Sequence, residues 1–355
     1  MKKVAIIGTQ GVPANYGGFE TLVDNIIGLR NADDIEYTMY CSSKDMPQKL
    51  KEHKGAALKY IPLRANGAQS IPYDIVAMLR AMYKNDTLLI LGVSGCIFLP
   101  FVRLLSRAKI IVNIDGLEHR RNKWTRHVRK FLLLSEVFAV KFAHTIIADN
   151  KGIADYVKWK YKKDATLIAY GGDHVLNEVP AAEQEEILQG YGLEKNSYLV
   201  SVCRIEPENN CHITLDAAAK SGKKLVFIGN WERNDYSRKL REQYSGYENI
   251  LLLSSIYDLK ILYTLRNNAL YYIHGHSAGG TNPSLVEAMF FGRPILAYDV
   301  VYNRETTHGN AYYFKCSEDL QALIEQEGLN GEVLRKTAQE HYLWKNIAKE
   351  YEELY

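Results

Sequence analysis

Short apolar runs alternate with amphipathic helical patterns along nearly the whole chain, and this alternation constrains the fold more than any other feature. The runs at 4–8, 35–41, 58–61, 87–91, 109–114, 145–148 and 166–168 read as buried strands. Residues between them carry helical spacing, as with Ile71, Ile75, Met78, Leu79 and Met82 on one side of a helix over 69–83. A strand followed by a crossover helix and another strand builds a parallel sheet. The polar stretch 177–184 interrupts the pattern, which restarts at 198–202 and runs on through 224–229, 250–253, 270–273 and 295–298. The segment 44–54 reads as a short helix and 303–307 as a loop. The expected architecture is α/β, with two Rossmann-like domains over 1–176 and 177–342 and a last helix over 343–355. A cleft between the domains is expected, because ligands bind beyond the carboxyl ends of parallel strands.

Composition removes several function classes. The net charge of +3 on 355 residues is small, so nothing points to nucleic acid or disorder. Cys41, Cys96, Cys203, Cys211 and Cys316 are scattered without a CxxC pair, so neither a disulfide framework nor a zinc site is expected. The first apolar run is too short for a signal peptide. The longest one, 88–102, is broken by Gly92, Ser94, Gly95 and Pro100 and falls short of the ~20 residues of a spanning helix. A cytoplasmic protein, free or peripheral on the inner face of the plasma membrane, is expected. Hydrolase and kinase chemistries lack their motifs, since no HExxH, nucleophile elbow or P-loop is present.

Loops after strands hold the candidate chemistry. In 276–299 a loop of small residues (Ser277, Ala278, Gly279, Gly280, Thr281) leads to Asn282, an N-cap type, and to Pro283 at the first helical position. Backbone N–H groups at such a helix start suit a diphosphate, with Ser284 among them and His276 lining the loop. Glu287 lies just inside that helix and can accept hydrogen bonds from sugar hydroxyls. Gly17 and Gly18 precede a second helix start. Arg204 follows a strand, where its planar fork suits a diphosphate; the alternative is a salt bridge to Glu206 or Glu208. Asp115 and Glu118 follow another strand, beside His119, Arg120 and Arg121. A carboxylate there can bind an acceptor hydroxyl or act as a base, and the bland reading is a surface ion-pair cluster. Asp149 and Asn150 repeat the arrangement one strand later, and Asp155 and Tyr156 lie on the helix that follows. Lys123, Arg126, Arg129 and Lys130 form a basic run around Trp124, with 126, 129 and 130 on one helix face; with the apolar segment 97–105 it can lie on an anionic membrane, and the alternative, which the sequence favours somewhat, is a solvated helix face.

Taken together these residues resemble the family 4 glycosyltransferases of GT-B fold, most closely the bacterial rhamnosyltransferases of polysaccharide assembly. The resemblance covers essentially the whole chain. It is carried by Gly11-Val12-Pro13-Ala14-Asn15-Tyr16-Gly17-Gly18-Phe19-Glu20-Thr21, Asp115-Gly116-Leu117-Glu118, Ala148-Asp149-Asn150, Arg204-Ile205-Glu206-Pro207-Glu208-Asn209-Asn210 and Gly279 through Ala288. It implies retaining transfer from a nucleotide-diphosphate sugar, dTDP-rhamnose first and a UDP-sugar second, to a glycan or lipid-linked acceptor, with no cofactor or metal required. Under it Arg204 grips phosphate, Gly17 and Gly18 approach the donor, and Glu287 holds the donor ribose. Asn209, His276, Gly279, Gly280, Thr281, Asn282 and Ser284 complete the donor side. Asp115, Asp149 and Glu287 are the candidate catalytic carboxylates, and Tyr16, Glu118, Asn150, Asp155 and Tyr156 stand on the acceptor side. The last helix packs back on the first domain, and domain closure excludes water. Two positions depart from the family pattern: Gly279 stands where the family carries a second glutamate, and Asn209 where it often has lysine.

Overall fold

The computed structural model describes residues 1–14, 17–32, 34–121 and 124–355. It divides into two compact units, Met1–Tyr170 with Trp344–Tyr355, and Gly171–Leu343. The described strands of the first unit are β1 (Lys2–Ile7), β2 (Ile35–Ser42), β3 (Glu52–His53), β4 (Ala56–Ile61), β5 (Thr87–Leu91), β6 (Lys109–Asn113), β7 (Thr145–Ala148) and β8 (Thr166–Leu167). They lie in the order β3-β4-β2-β1-β5-β6-β7-β8. Every pairing is parallel except β3 with β4. Central strands bear apolar residues on both faces because helices cover both, and Val4–Ile7 and Thr87–Leu91 are buried throughout.

The helix Gly18–Gly28 buries Leu22, Val23, Ile26 and Ile27, a helical stripe laid against that sheet. The helix Trp344–Glu353 buries Trp344, Ile347, Ala348 and Tyr351 in the same core, beside Leu22 and Ile26. Each fully buried leucine, isoleucine or valine among them contributes about 1.5–3 kcal/mol of transfer free energy. The chain's last segment is therefore an integral part of the first unit.

The second unit holds β9 (Tyr198–Val202), β10 (Lys224–Ile228), β11 (Ile250–Leu253), β12 (Tyr271–His274), β13 (Ile295–Tyr298) and β14 (Tyr312–Phe314). Their order is β11-β10-β9-β12-β13-β14, with all pairings parallel. The chain runs outward from β9 to β11 and returns to β12 on the other side. The loops after β9 and β12 thus meet at the switch point, where such sheets bind ligands. The same reversal in the first unit places the loops after β1 and β5 together.

Two local expectations are corrected. Residues 44–54 form no helix; they make a turn and the short edge strand β3. Ser42 Oγ accepts from the N–H groups of Lys44 and Asp45 at 3.3 and 3.1 Å, a local bond that competes with helix formation. Residues 303–307 are not a loop: the helix Val301–Thr306 covers most of them. Asn303 is buried and its amide bonds inward, so a residue that reads as a loop former is a core polar bridge.

Candidate functional site

At the switch point of the second unit, Asn209 ties two loops together. Its Nδ2 donates to the carbonyl oxygen of Arg204 at 2.6 Å, and its Oδ1 lies 2.5 Å from Nδ1 of His276. Both Asn209 and His276 are buried. The N–H and the hydroxyl of Ser277 each donate to the carbonyl of Glu208 at 2.8 Å, and Asn210 Nδ2 donates to the carbonyl of Gly275 at 2.9 Å. A Cβ on Gly275 would lie 2.2 Å from the carbonyl oxygen of Asn209, so this close approach requires glycine. Asn303 Nδ2 closes the far side by donating to the carbonyl of His276 at 2.8 Å. Asn209 and His276, both expected on the donor side, form a buried cross-link that holds the Arg204 carbonyl. Glu206, one of the two acids near Arg204 in sequence, lies 3.5 Å from Arg233.

The helix start expected at 282–284 is present. Asn282 Oδ1 accepts from the N–H of Ser284 at 3.0 Å and from its hydroxyl at 2.8 Å. The helix Pro283–Met289 is only seven residues long, so its dipole is correspondingly small. It presents Glu287, whose Oε2 accepts from Arg266 Nη2 at 2.7 Å and whose Oε1 lies 3.5 Å from His174 Nε2. Burial alone would raise the Glu287 pKa, but Arg266 and His174 outweigh it and hold the carboxyl below its ordinary value. The loop that carries His174 packs tightly here: a Cβ on Gly172 would meet Val286 and Phe290 side chains at 2.9 Å.

In the first unit the loop after β1 is organised by Glu20. Its Oε1 accepts from the N–H of Gln10 at 2.8 Å. Gly17 has φ +93, and a Cβ there would lie 2.5 Å from Glu20 Oε2. Gly18 opens the helix Gly18–Gly28. Burial, with a smaller part from Asp115, pushes the Glu20 carboxyl up to about 6. Asp115 follows β6 with φ +57, a left-handed conformation uncommon for a residue with a side chain. Its N–H donates to Asn113 Oδ1 at 3.0 Å, and Asn113 Nδ2 donates to the Tyr351 hydroxyl at 2.8 Å. Asp149 is buried at the end of β7, and Asn150 caps the helix Lys151–Tyr161 by accepting from Gly152 N–H at 2.9 Å. Asp115, Asp149 and Glu20 all bear on Tyr170, whose hydroxyl is held far above its ordinary pKa by burial first and by these carboxylates next.

The remaining acceptor-side candidates are distributed differently. Glu118 is engaged by Trp124 Nε1 at 3.0 Å and Arg121 at 2.8 Å. Tyr156 donates to Glu136, which also receives Tyr161 and sits 2.8 Å from His119 Nδ1. Burial would raise Glu136, but these donors hold it below the ordinary carboxylate value. Asp155 is on an exposed helix face beside Lys151 at 2.5 Å, away from that network. Tyr16 and Lys123 lie outside the described residues. Within the basic run, Arg126 and Lys130 are exposed, while Arg129 is partly buried and its Nε donates to the carbonyl of His119 at 2.8 Å. Sequence reasoning passed over Arg266, His174, Asn113, Glu136 and Tyr351. Asn113 carries a usable signal, as a polar residue directly after the apolar run Ile110–Val112. Among the described residues, no group of three or more His, Cys, Asp or Glu side chains is placed to hold a metal ion.

Comparison with known proteins bears on both units. Residues 183–341 match the family described as glycosyl transferases group 1, and residues 1–173 match a domain of unknown function, DUF1972. The solved sucrose-phosphate synthase from Thermosynechococcus elongatus superposes with a TM-score of 0.83 at 15% identity, covering 100% of this chain and 98% of that one. HepE of Anabaena, solved in complex with UDP-glucose, gives 0.78 at 16% identity over 99% and 98% of the two chains. The GtfA subunit of the UDP-N-acetylglucosamine–peptide N-acetylglucosaminyltransferase of Limosilactobacillus reuteri is 21% identical over 202 residues, 50% of this chain. That match spans 38% of the relative's length. The fold is GT-B, and the match to the glycosyl transferases group 1 model lies within its second unit.

Proposed function

We propose that this glycosyltransferase of GT-B fold moves a sugar from a nucleotide-diphosphate donor to a glycan or lipid-linked acceptor, with retention at the anomeric carbon, in cell-surface polysaccharide synthesis. Rhamnose from dTDP-rhamnose is the first candidate, and glucose or galactose from a UDP-sugar the second. The observation that carries the reading is the Asn209–His276 bridge. It fixes the Arg204 peptide at the sheet's switch point, where a guanidinium fork grips a diphosphate in two directions at once. The GtfA relative's name specifies a UDP-sugar and HepE was solved with one, which supports a nucleotide-sugar donor here.

In this account Arg204 and the backbone N–H groups of 279–284 receive the charge that gathers on the diphosphate as the glycosidic bond breaks. Donors already in place lower that barrier more than they stabilise the ground state. Glu287 accepts from the ribose hydroxyls. The acceptor hydroxyl approaches the first unit's carboxylates, Asp115 or Asp149, one of which takes or orients its proton. Gly279 leaves the donor sugar without the family's second glutamate, a change that fits a 6-deoxy sugar with its different set of hydroxyls.

Contact with an anionic inner-membrane surface belongs to the same proposal. Phe101, Leu104 and Leu105 are 55%, 81% and 51% exposed, and Arg103 and Arg107 are exposed beside them. Apolar side chains flanked by cations suit a headgroup boundary. No helix among the described residues is long and apolar enough to cross a membrane.

The test is release of nucleoside diphosphate from dTDP-rhamnose, UDP-glucose and UDP-galactose in the presence of a lipid-linked saccharide, by the whole chain and by Arg204→Ala. Acceptor-dependent turnover that falls by orders of magnitude in the folded variant supports the proposal. Undiminished turnover in Arg204→Ala contradicts it. A second reading, a nucleotide-sugar-binding protein without catalysis, draws on Gly279; donor binding without transfer to any acceptor would select it.

A further inference from the structure

Arg266 is a buried cation at the end of the helix Leu259–Asn267, a segment whose apolar stripe reads as an ordinary packing helix. Its side chain is 4% exposed, against 16% for Glu287. Nothing in the packing of a helix against a sheet needs a guanidinium there, and burying one is costly unless an anion accompanies it. The anion is Glu287, reached through Nη2 at 2.7 Å. The bond is single-pronged: Nε of Arg266 is buried with no hydrogen-bond partner among the described residues. One oxygen of Glu287 therefore carries one strong bond, and the other faces His174 at a looser 3.5 Å. An ionised carboxylate can accept about four hydrogen bonds. The pair thus holds the side chain in one orientation while most of its accepting capacity stays unused by Arg266.

A closed structural pair would look different, with a two-pronged bond and both carboxylate oxygens saturated. From this geometry we infer that Arg266 is a positioning residue: it sets the angle at which Glu287 meets the hydroxyls of a nucleotide ribose. His174, brought close by the tight packing at Gly172, restrains the second oxygen. The inference rests on the reading above in which Glu287 holds the donor ribose. It adds a residue from a separate helix that touches no ligand and still governs how strongly hydroxyls are recognised.

The experiment measures hydroxyl recognition directly. Isothermal titration with UDP, and with 2′,3′-dideoxyuridine diphosphate, is run on the whole protein and on Glu287→Gln, Arg266→Lys and Arg266→Met. A parallel series with dTDP and its 3′-deoxy form covers the other base. In the wild type, loss of the hydroxyls weakens binding about tenfold or more, the scale of a hydrogen bond to a charged group. In Arg266→Met that ratio falls towards one, and in Arg266→Lys it is intermediate, because an ammonium keeps the charge without the planar geometry. A merely structural Arg266 would lower the melting temperature and leave the ratio unchanged, which overturns the inference. Should Arg266→Met fail to fold, the Lys variant carries the test: a wild-type ratio in Arg266→Lys and in His174→Gln also overturns it. The two readings fail differently. A wild type indifferent to the hydroxyls, or a Glu287→Gln variant that still discriminates, removes the ribose reading itself; discrimination lost in Glu287→Gln and kept in the Arg266 variants removes only the role of Arg266.

Discussion

The hydroxyl of Tyr351, on the last helix of the chain, accepts a hydrogen bond from Asn113 Nδ2 at 2.8 Å at the end of β6. Asn113 in turn accepts from the N–H of Asp115 at 3.0 Å, where the backbone takes its left-handed conformation. The two residues are 238 positions apart in sequence. The terminal helix therefore reaches the candidate acceptor-side carboxylate through one side chain.

Tyr351→Phe tests that connection. Removing the hydroxyl leaves a buried amide N–H short of its acceptor, which costs about 1–3 kcal/mol by the usual penalty for an orphaned donor. Denaturant unfolding should show a loss of that size. In transfer assays the variant should raise the acceptor KM or lower kcat while nucleotide affinity stays at the wild-type value. An unchanged acceptor dependence in a destabilised variant would reduce the contact to packing alone.

Asp74 gives a pH prediction. It is buried on the helix Ser70–Ala81, and its Oδ2 accepts from the N–H of Gly95 at 3.1 Å. Burial pushes its carboxyl from 3.8 up to about 8, partly offset by that bond. An acid with a raised folded pKa binds its proton more tightly when folded. Its contribution is fully present below about pH 4 and is lost as pH rises towards 8. Asp74→Asn keeps an acceptor for Gly95 without the charge. The melting temperature of the variant should exceed that of the wild type at pH 8, and the gap should close near pH 4. A gap independent of pH would show that the Asp74 proton is not coupled to folding.

Gly275→Ala addresses the loop cross-link. The added carbon would lie 2.2 Å from the Asn209 carbonyl oxygen, a contact that only a backbone shift relieves. The stability loss should be about 1–3 kcal/mol, as for other overpacked sites. Because the shift displaces the loop that carries Arg204, nucleotide affinity should fall by more than global stability explains. Titration calorimetry beside thermal unfolding separates the two, and wild-type affinity would mean that the loop spacing does not set the phosphate contact.

Membrane contact is checked by sedimentation with vesicles. Leu104→Ser with Leu105→Ser should abolish binding to vesicles rich in phosphatidylglycerol while leaving the fold intact, since both side chains are half exposed or more. Retained binding in the double variant would move the contact elsewhere or remove it.

The sequence discloses its α/β architecture readily, because strand and helix periods differ and both are strong in β1, β5, β9 and β12. The exact bounds of Thr87–Leu91 and Ile250–Leu253 follow from apolar runs ended by polar or glycine residues. Segments governed by side-chain bonds to the backbone were illegible: Ser42 diverts 44–54 from a helix, and inward bonding by Asn303 supports the helix Val301–Thr306. Positions of candidate residues are legible where loops follow strands: Arg204, Asp115 and Asp149 lie just beyond the ends of β9, β6 and β7. The site is opaque where a partner arrives from a distant segment. Arg266 comes 21 positions before Glu287, and Tyr351 belongs to the other end of the chain from Asn113. Periodicity reports which face of an element is buried and carries no information on which buried polar group meets which.

The most direct test of the central claim is a thermal-shift series with dTDP-rhamnose, UDP-glucose, GDP-mannose and NAD, on the wild type and on Arg204→Ala. A ligand that binds only the folded state raises the midpoint by mass action, by about 2.7 kcal/mol of stability at a hundred times its Kd. The account predicts a selective rise with a nucleotide sugar, dTDP-rhamnose first, and its disappearance in Arg204→Ala with the unliganded midpoint little changed. A rise with NAD alone, or a nucleotide-sugar shift that survives in Arg204→Ala, would contradict it.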